Sequence, residues 1–293
     1  MDLRKTLDSG RVLLLDGAMG TELEKVHLRG DCFANIARQV DVAKIHLHSL
    51  AAGSEAITTN TFPLNALTPE AVRQQVDLDR ANRLGVAIAR TVAGDRGFVL
   101  GGMGPTGRVF GMDPAMTEAN VHAAFLAQAR SLTAEGVDAL IIETMTSLEE
   151  ALLALRACKE AKPELPVLVS MSYYTPDKGI RTLMGETAVE CAQALQEKGA
   201  SAVGTNCSAF TMPQMADAVG AMRRFTNIPT IAQPNAGQPH GEESTYDMTP
   251  AVFADGVGEC IKRGATIVGG CCGAGPEHIR AVATKLRSGR EVR

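Results

Sequence analysis

The chain has 293 residues, 45% of them hydrophobic, enough to bury one large core. Its formal charge of −4, with Lys and Arg scattered along the chain, excludes the basic stripe that a nucleic-acid-binding surface needs. The first apolar stretch, Val12 to Leu15, is too short for a signal-peptide core or a membrane span, and seven cysteines without regular spacing predict reduced thiols in a cytoplasmic protein.

Short β-rich apolar runs alternate with longer amphipathic stretches from end to end. In chain order, strand Val12–Asp16 precedes helix Val42–Ala52, and strand Ala56–Asn60 precedes helix Asp77–Val92. Strand Phe98–Gly102 leads to helix Glu118–Glu135, strand Ala139–Glu143 to helix Ser147–Ala161, and strand Val167–Ser172 to helix Thr187–Lys198. Strand Ala202–Asn206 leads to helix Pro213–Arg224, strand Thr230–Gln233 to helix Pro250–Lys262, and strand Thr266–Gly270 to helix Pro276–Leu286. This alternation predicts a parallel sheet covered by helices. Gly53, Gly136, Gly199 and Gly264 each end a helical pattern just before a strand, within a weak internal repeat. Eight units in one unbroken series favour a single α/β domain over residues 1–293, a (β/α)8 TIM barrel, over an open doubly wound sheet.

The predicted strands end in polar or glycine-rich residues, and in such a barrel the carboxyl ends of the strands carry the active site. Gly269-Gly270-Cys271-Cys272-Gly273 follows one strand and Cys207 follows another. Adjacent cysteines bridge each other only with severe strain, but glycines that let the chain turn sharply allow their side chains to converge on one metal ion. Cys207, Cys271 and Cys272 would give zinc three thiolates and leave one position open, the arrangement of a catalytic site. Cys32, Cys158, Cys191 and Cys260 read as small packing residues.

Asp16 and Glu143 are acids at strand ends on the same face, placed to hold a substrate ammonium group. His46 and His48 read as surface or core-edge residues of a helix, and His240 and His278 receive no role. Gly102-Met103-Gly104-Pro105-Thr106-Gly107 spells a dinucleotide fingerprint, but Pro105 and the loop-like residues after it deny the helix whose N-terminus would bind pyrophosphate.

Together these motifs carry a family resemblance. Leu14 to Leu23, Thr58-Thr59-Asn60-Thr61-Phe62, Gly104 to Gly107, Glu143-Thr144, Asn206-Cys207-Ser208, Pro234-Asn235-Ala236-Gly237, and Gly269 through His278 resemble, in order, the homocysteine S-methyltransferase family. The wording comes nearest to the homocysteine-binding module of cobalamin-dependent methionine synthases. The resemblance spans essentially the whole chain. It implies a (β/α)8 barrel with Zn2+ on Cys207, Cys271 and Cys272, and Asp16 and Glu143 on the ammonium of L-homocysteine. Thr59 and the backbone near Gly17 and Ala18 would face the carboxylate, and Asn206 would orient the ligand turn. The implied reaction is attack of the homocysteine thiolate on an activated methyl group, giving methionine.

The donor implied is methylcobalamin, presented by a separate corrinoid protein or a cobalamin module, the chain being a stand-alone subunit or a fragment. The alternative within the family is direct use of S-methylmethionine or another sulfonium compound. The alternative outside it is a zinc-binding redox module without turnover. No membrane or nucleic-acid partner is expected.

Overall fold

A computed structural model of the protein describes residues 2–28, 32–110, 112–174, 179–239 and 246–289. All eight predicted strands are present: β1 (Leu13–Leu14), β2 (Ala56–Thr58), β3 (Phe98–Met103), β4 (Ala139–Met145), β5 (Val167–Met171), β6 (Ala202–Asn206), β7 (Thr230–Gln233) and β8 (Ile267–Val268). Among the described residues they form one parallel sheet in the order β1-β8-β7-β6-β5-β4-β3-β2. Consecutive strands are neighbours and β1 pairs with β8, so the sheet curls round into a nearly closed barrel.

The seam lies between β1 and β2, and side chains close it. The Glu55 N–H donates to the Leu14 carbonyl at 2.7 Å, and the Glu55 carboxylate accepts from the Leu14 N–H at 3.4 Å. One turn higher, the Asp16 carboxylate accepts from the Thr58 N–H at 2.8 Å and the Thr58 hydroxyl at 3.2 Å. These bonds satisfy backbone groups that a missing ladder would leave orphaned in the wall.

The longer helices match the sequence reading. They are α4 (Gln39–Ala52), α6 (Leu78–Ala93), α7 (Glu118–Ala134), α8 (Leu148–Ala161), α9 (Ala188–Glu197), α10 (Met212–Phe225), α11 (Pro250–Lys262) and α12 (Pro276–Ser288). Thr117, Ser147, Thr187 and Thr249 cap α7, α8, α9 and α11 through their hydroxyls. Four further helices escaped the sequence reading because one or two turns carry no measurable period: α1 (Leu3–Asp8), α2 (Met19–Glu24), α3 (Ala34–Ala37) and α5 (Pro69–Gln74). Of these, α1 packs Leu3 and Leu7 against the inward-facing Leu13, Leu15, Phe98, Leu100, Leu168 and Ile267, inside the barrel.

Three predicted strands stop two residues short of their expected ends. β1, β2 and β8 finish at Leu14, Thr58 and Val268, and Asp16, Asn60 and Gly270 belong to the loops. In β4 the opposite happens. Ile142 pairs with Val169 and Met145 with Met171, so one extra residue bulges out at Glu143–Thr144. Among the described residues no helix is long and apolar enough to cross a membrane.

His46 departs from the reading as a surface or core-edge residue, whereas His48 is exposed. His46 is fully buried on α4 and neither ring nitrogen has a hydrogen-bond partner. Burial alone lowers its pKa from 6.5 to about 4. The unfolded chain therefore takes up this proton at higher pH than the folded one, and stability falls as pH drops from 6.5 toward 4. Between pH 7 and 4.5, His46→Leu is expected to lose ~2–3 kcal/mol less stability than the parent protein, read from urea midpoints. Equal losses would contradict a buried, neutral His46.

Candidate functional site

The three cysteines reach one point because two turns are held rigidly. Cys207 follows the last residue of β6 with φ of 48°, a left-handed conformation that a non-glycine residue seldom adopts. Its carbonyl accepts the Ser172 hydroxyl at 3.0 Å, and the next residue, Ser208, accepts the Tyr173 N–H at 2.9 Å. These bonds tie the turn to the end of β5 and offset the strain.

The turn after β8 is held on both sides. Gly270 N–H donates to the Asp16 carbonyl at 3.0 Å, on the β1 side. On the β7 side, Cys271 N–H donates to the Pro234 carbonyl at 2.8 Å, and the Cys272 carbonyl accepts the Ala236 N–H at 2.9 Å. The chain passes so close that glycine is required. A Cβ on Gly17 would lie 2.1 Å from the Ala274 carbonyl oxygen, and one on Gly270 would lie 2.4 Å from the Ala274 Cβ.

The result is three sulfurs, on Cys207, Cys271 and Cys272, all within 4.8 Å of one another, with Cys207 Sγ and Cys272 Sγ 3.6 Å apart. All three are partly accessible, and none of them is in a disulfide among the described residues. Bonding from Cys271 pulls the Cys207 thiol down, but contact with Cys272, burial, and the charges of Cys272 and Glu143 together push it up to about 12. Contacts with Cys207 and Cys272, then burial, hold Cys271 well above the usual thiol range. Cys32, Cys158, Cys191 and Cys260 are buried, as their helical or apolar contexts predicted.

Asp16 and Glu143 stand beside this cluster. Burial pushes the Asp16 carboxyl up to about 7, against the pull of its bonds from Thr58. Burial, then the charges of Asp16 and Cys272, push Glu143 up to about 8. Two acids and three thiols thus lie close together, and burial with neighbouring charge makes Glu143, Cys207 and Cys271 harder to ionise, while burial alone does so for Asp16. Gly102 lies beside Glu143 and Thr58. A Cβ there would lie 2.8 Å from the Thr58 methyl and 3.4 Å from Glu143 Oε1.

Thr59 is 3% exposed, and its hydroxyl is already engaged. It accepts from the Gly102 N–H at 2.9 Å and lies 2.6 Å from the Thr61 hydroxyl, which itself donates to the Gly102 carbonyl at 2.6 Å. Since Thr61 has one proton, Thr59 must be the donor to Thr61. Ala18 N–H donates to the Ala274 carbonyl at 3.0 Å, and Gly17 is partly exposed at the end of β1. The amide of Asn206 contacts Cys271 Sγ at 3.7 Å.

The Gly102–Gly107 stretch opens no helix, and α7 begins only at Glu118. Its loop is pinned by Glu150, a residue the sequence did not flag, whose buried carboxylate accepts the Thr106 N–H at 2.7 Å. His278 is also buried. Its Nδ1 accepts from the Gly275 N–H at 3.2 Å, so the proton sits on Nε2, which donates to the Met248 carbonyl at 2.8 Å. His240 lies outside the described residues. The sequence reading placed Ser172 at a strand end and Ser208 in a motif but gave neither a role; the structure makes them the partners that hold the Cys207 turn.

Comparison with known proteins matches residues 13–286 to the family model described as homocysteine S-methyltransferase. The chain is 32% identical to a methionine synthase of Mycobacterium tuberculosis over 95% of its length, and 30% identical to a methionine synthase of Mycobacterium leprae over 97%. It spans about a quarter of the length of either relative, 25% in each case. In fold it is similar to the metallated form of the homocysteine methyltransferase MmuM from Escherichia coli. That match has a TM-score of 0.78 at 21% identity and covers 97% of this chain and 99% of the other.

The clearance at Gly17 makes a direct prediction. Gly17→Ala is expected to destabilise the fold by at least ~2 kcal/mol in urea melts, because the carbonyl it strikes is backbone and cannot rotate away. An unchanged midpoint would contradict the close approach of the two turns.

Proposed function

This chain belongs to the homocysteine S-methyltransferase family, and from that premise we propose that it transfers a methyl group to the thiolate of L-homocysteine, giving methionine, at a zinc ion held by Cys207, Cys271 and Cys272. The observation that carries the proposal is the meeting of three sulfurs within 4.8 Å, beside the buried Asp16 and the half-buried Glu143, at the carboxyl ends of barrel strands. The donor set fits zinc. Contact with Cys272, burial and the charges of Cys272 and Glu143 hold the Cys207 thiol up, and a divalent cation offsets that unfavourable charge. Three ligands rather than four match an open, catalytic coordination.

Bound there, zinc would supply the positive charge that keeps a substrate sulfur deprotonated at neutral pH, where a free thiol is mostly protonated. The chain's own residues do the rest. Asp16 and Glu143 take the α-ammonium of homocysteine. Each acid, held up to about 7 and about 8 by burial, is drawn into its ionised form by the arriving cation. Thr58 fixes the Asp16 carboxylate, and Gly102 leaves room beside Glu143. The substrate carboxylate lies toward the backbone of Gly17 and Ala18. Thr59, its proton committed to Thr61, shapes this end of the pocket and does not donate there. Asn206 orients Cys271.

The methyl donor in this reading is a methyl-corrinoid such as methylcobalamin, carried by a separate corrinoid protein or by a cobalamin module. The match to a quarter of proteins named methionine synthase supports it, since such proteins have further length in which a donor can be held. Residues 1–293 act in it as one homocysteine-binding barrel domain, and cysteines outside any disulfide suit a cytoplasmic setting.

The test is methionine formation from L-homocysteine by the reduced, zinc-loaded protein, with methylcobalamin and S-methylmethionine supplied in parallel. Turnover with methylcobalamin alone is expected. Turnover with S-methylmethionine alone would move the donor to the sulfonium class. Failure with both donors, with zinc retained, would favour a redox or binding module. Cys207→Ser is expected to weaken zinc and abolish turnover, and full activity in that variant would overturn the ligand assignment. Glu143→Gln is expected to raise KM for homocysteine ~10–100-fold, the loss of one charge-assisted bond to the ammonium. An unchanged KM would remove Glu143 from the substrate pocket.

A further inference from the structure

Thr144 sits at the β4 bulge with φ of 61°, a left-handed conformation that is a genuine outlier for a β-branched residue. Bulges of this kind re-aim side chains next to functional sites. Here the bulge removes the Thr144 N–H from the ladder with β5 and turns it, with the hydroxyl, toward Asn206 at the end of β6. The Thr144 N–H donates to Asn206 Oδ1 at 2.8 Å, and Asn206 Nδ2 donates to the Thr144 hydroxyl at 2.7 Å. The remaining proton on Nδ2 points to Cys271 Sγ at 3.7 Å.

This arrangement has one hydrogen-bonding solution. A backbone N–H can only donate, so the amide oxygen of Asn206 must face Thr144 and the NH2 must face the sulfur. Rotating the amide by 180° would set its oxygen against Cys271 Sγ and leave a largely buried N–H without an acceptor. Asn206 itself is fully buried, so no water replaces either contact.

We infer that Thr144 is a positioning residue for the metal centre: its N–H sets which way the Asn206 amide faces, and its hydroxyl, accepting one Nδ2 proton, holds the amide plane so that the other proton is presented to the Cys271 sulfur. The inference rests on the zinc reading above and extends it to a residue that touches none of the three sulfurs. A donor held on a ligand thiolate stabilises the anionic form that binds metal and fixes the direction of its lone pairs. Groups that orient metal ligands in this way are typically worth 10–100-fold in affinity.

The test uses two substitutions in two backgrounds. Thr144→Gly removes the hydroxyl but relieves the left-handed strain, so the metal-free protein is expected to melt no lower than the parent. Thr144→Ser keeps the hydroxyl. Zinc affinity is measured on reduced protein by competition with a chromophoric chelator, for each variant alone and combined with Asn206→Ala. The expected result is a loss of ~10–100-fold for Thr144→Gly, recovery to within about twofold for Thr144→Ser, and no further loss for Thr144→Gly once Asn206 is alanine. Parental zinc affinity in Thr144→Gly would overturn the inference, and so would an equal loss in both backgrounds, which would mean that Thr144 acts without Asn206. A parent protein that takes up no zinc would fail the metal reading itself, separately from the behaviour of these variants.

Discussion

The site depends on one close approach, that of the chain leaving β1 to the turn leaving β8. Gly17 passes the Ala274 carbonyl with no room for a Cβ, and Gly270 donates to the Asp16 carbonyl at 3.0 Å. That contact places the carboxylate of Asp16 and the sulfurs of Cys271 and Cys272 on the same side of the barrel mouth. It also ends β1 and β8 two residues sooner than their apolar patterns suggested. The strands give up ladder bonds there, and the loops recover them through Asp16, Glu55 and the backbone of Pro234 and Ala236. Architecture and chemistry are therefore not separable at this point. Asp16 closes the barrel seam with the same carboxylate that, in the proposed function, takes the substrate ammonium.

The second theme is concentrated like charge. Asp16, Glu143 and three thiols crowd into one poorly solvated region, and Asp16, Glu143, Cys207 and Cys271 are each harder to ionise than in water. Such a cluster is destabilising by itself and becomes favourable when cations enter it. A divalent metal suits the sulfur side and an ammonium group suits the carboxylate side. In the proposed function, the two acids receive the ammonium group and the sulfur side receives the thiol of one amino acid.

Much of this was legible in the sequence, for physical reasons that can be named. The eight strands stood out because parallel strands buried on both faces are short apolar runs, and glycines follow the helices between them. The cysteine cluster was legible only through context, since Cys207 and the Cys271–Cys272 pair share a strand-end position and match no fixed spacing pattern. What could not be read depends on local backbone geometry. The bulge in β4 leaves no trace in the pattern of Ala139 to Met145, so the link from Thr144 to Asn206 was invisible. The committed proton of Thr59 follows from a three-way contact with Thr61 and Gly102 that only coordinates display. His46 looked like an edge residue because polarity predicts exposure on average, and its burial without a partner is an exception to that average.

The central claim is that Cys207, Cys271 and Cys272 hold a zinc ion whose open position receives the sulfur of homocysteine. Zinc K-edge X-ray absorption, recorded on reduced protein with and without L-homocysteine, tests it most directly. The account predicts three sulfur neighbours from the protein, matching the three cysteines brought together here, and a fourth sulfur when homocysteine is added. A shell that already holds four protein ligands, or one that does not change with the substrate, would contradict it.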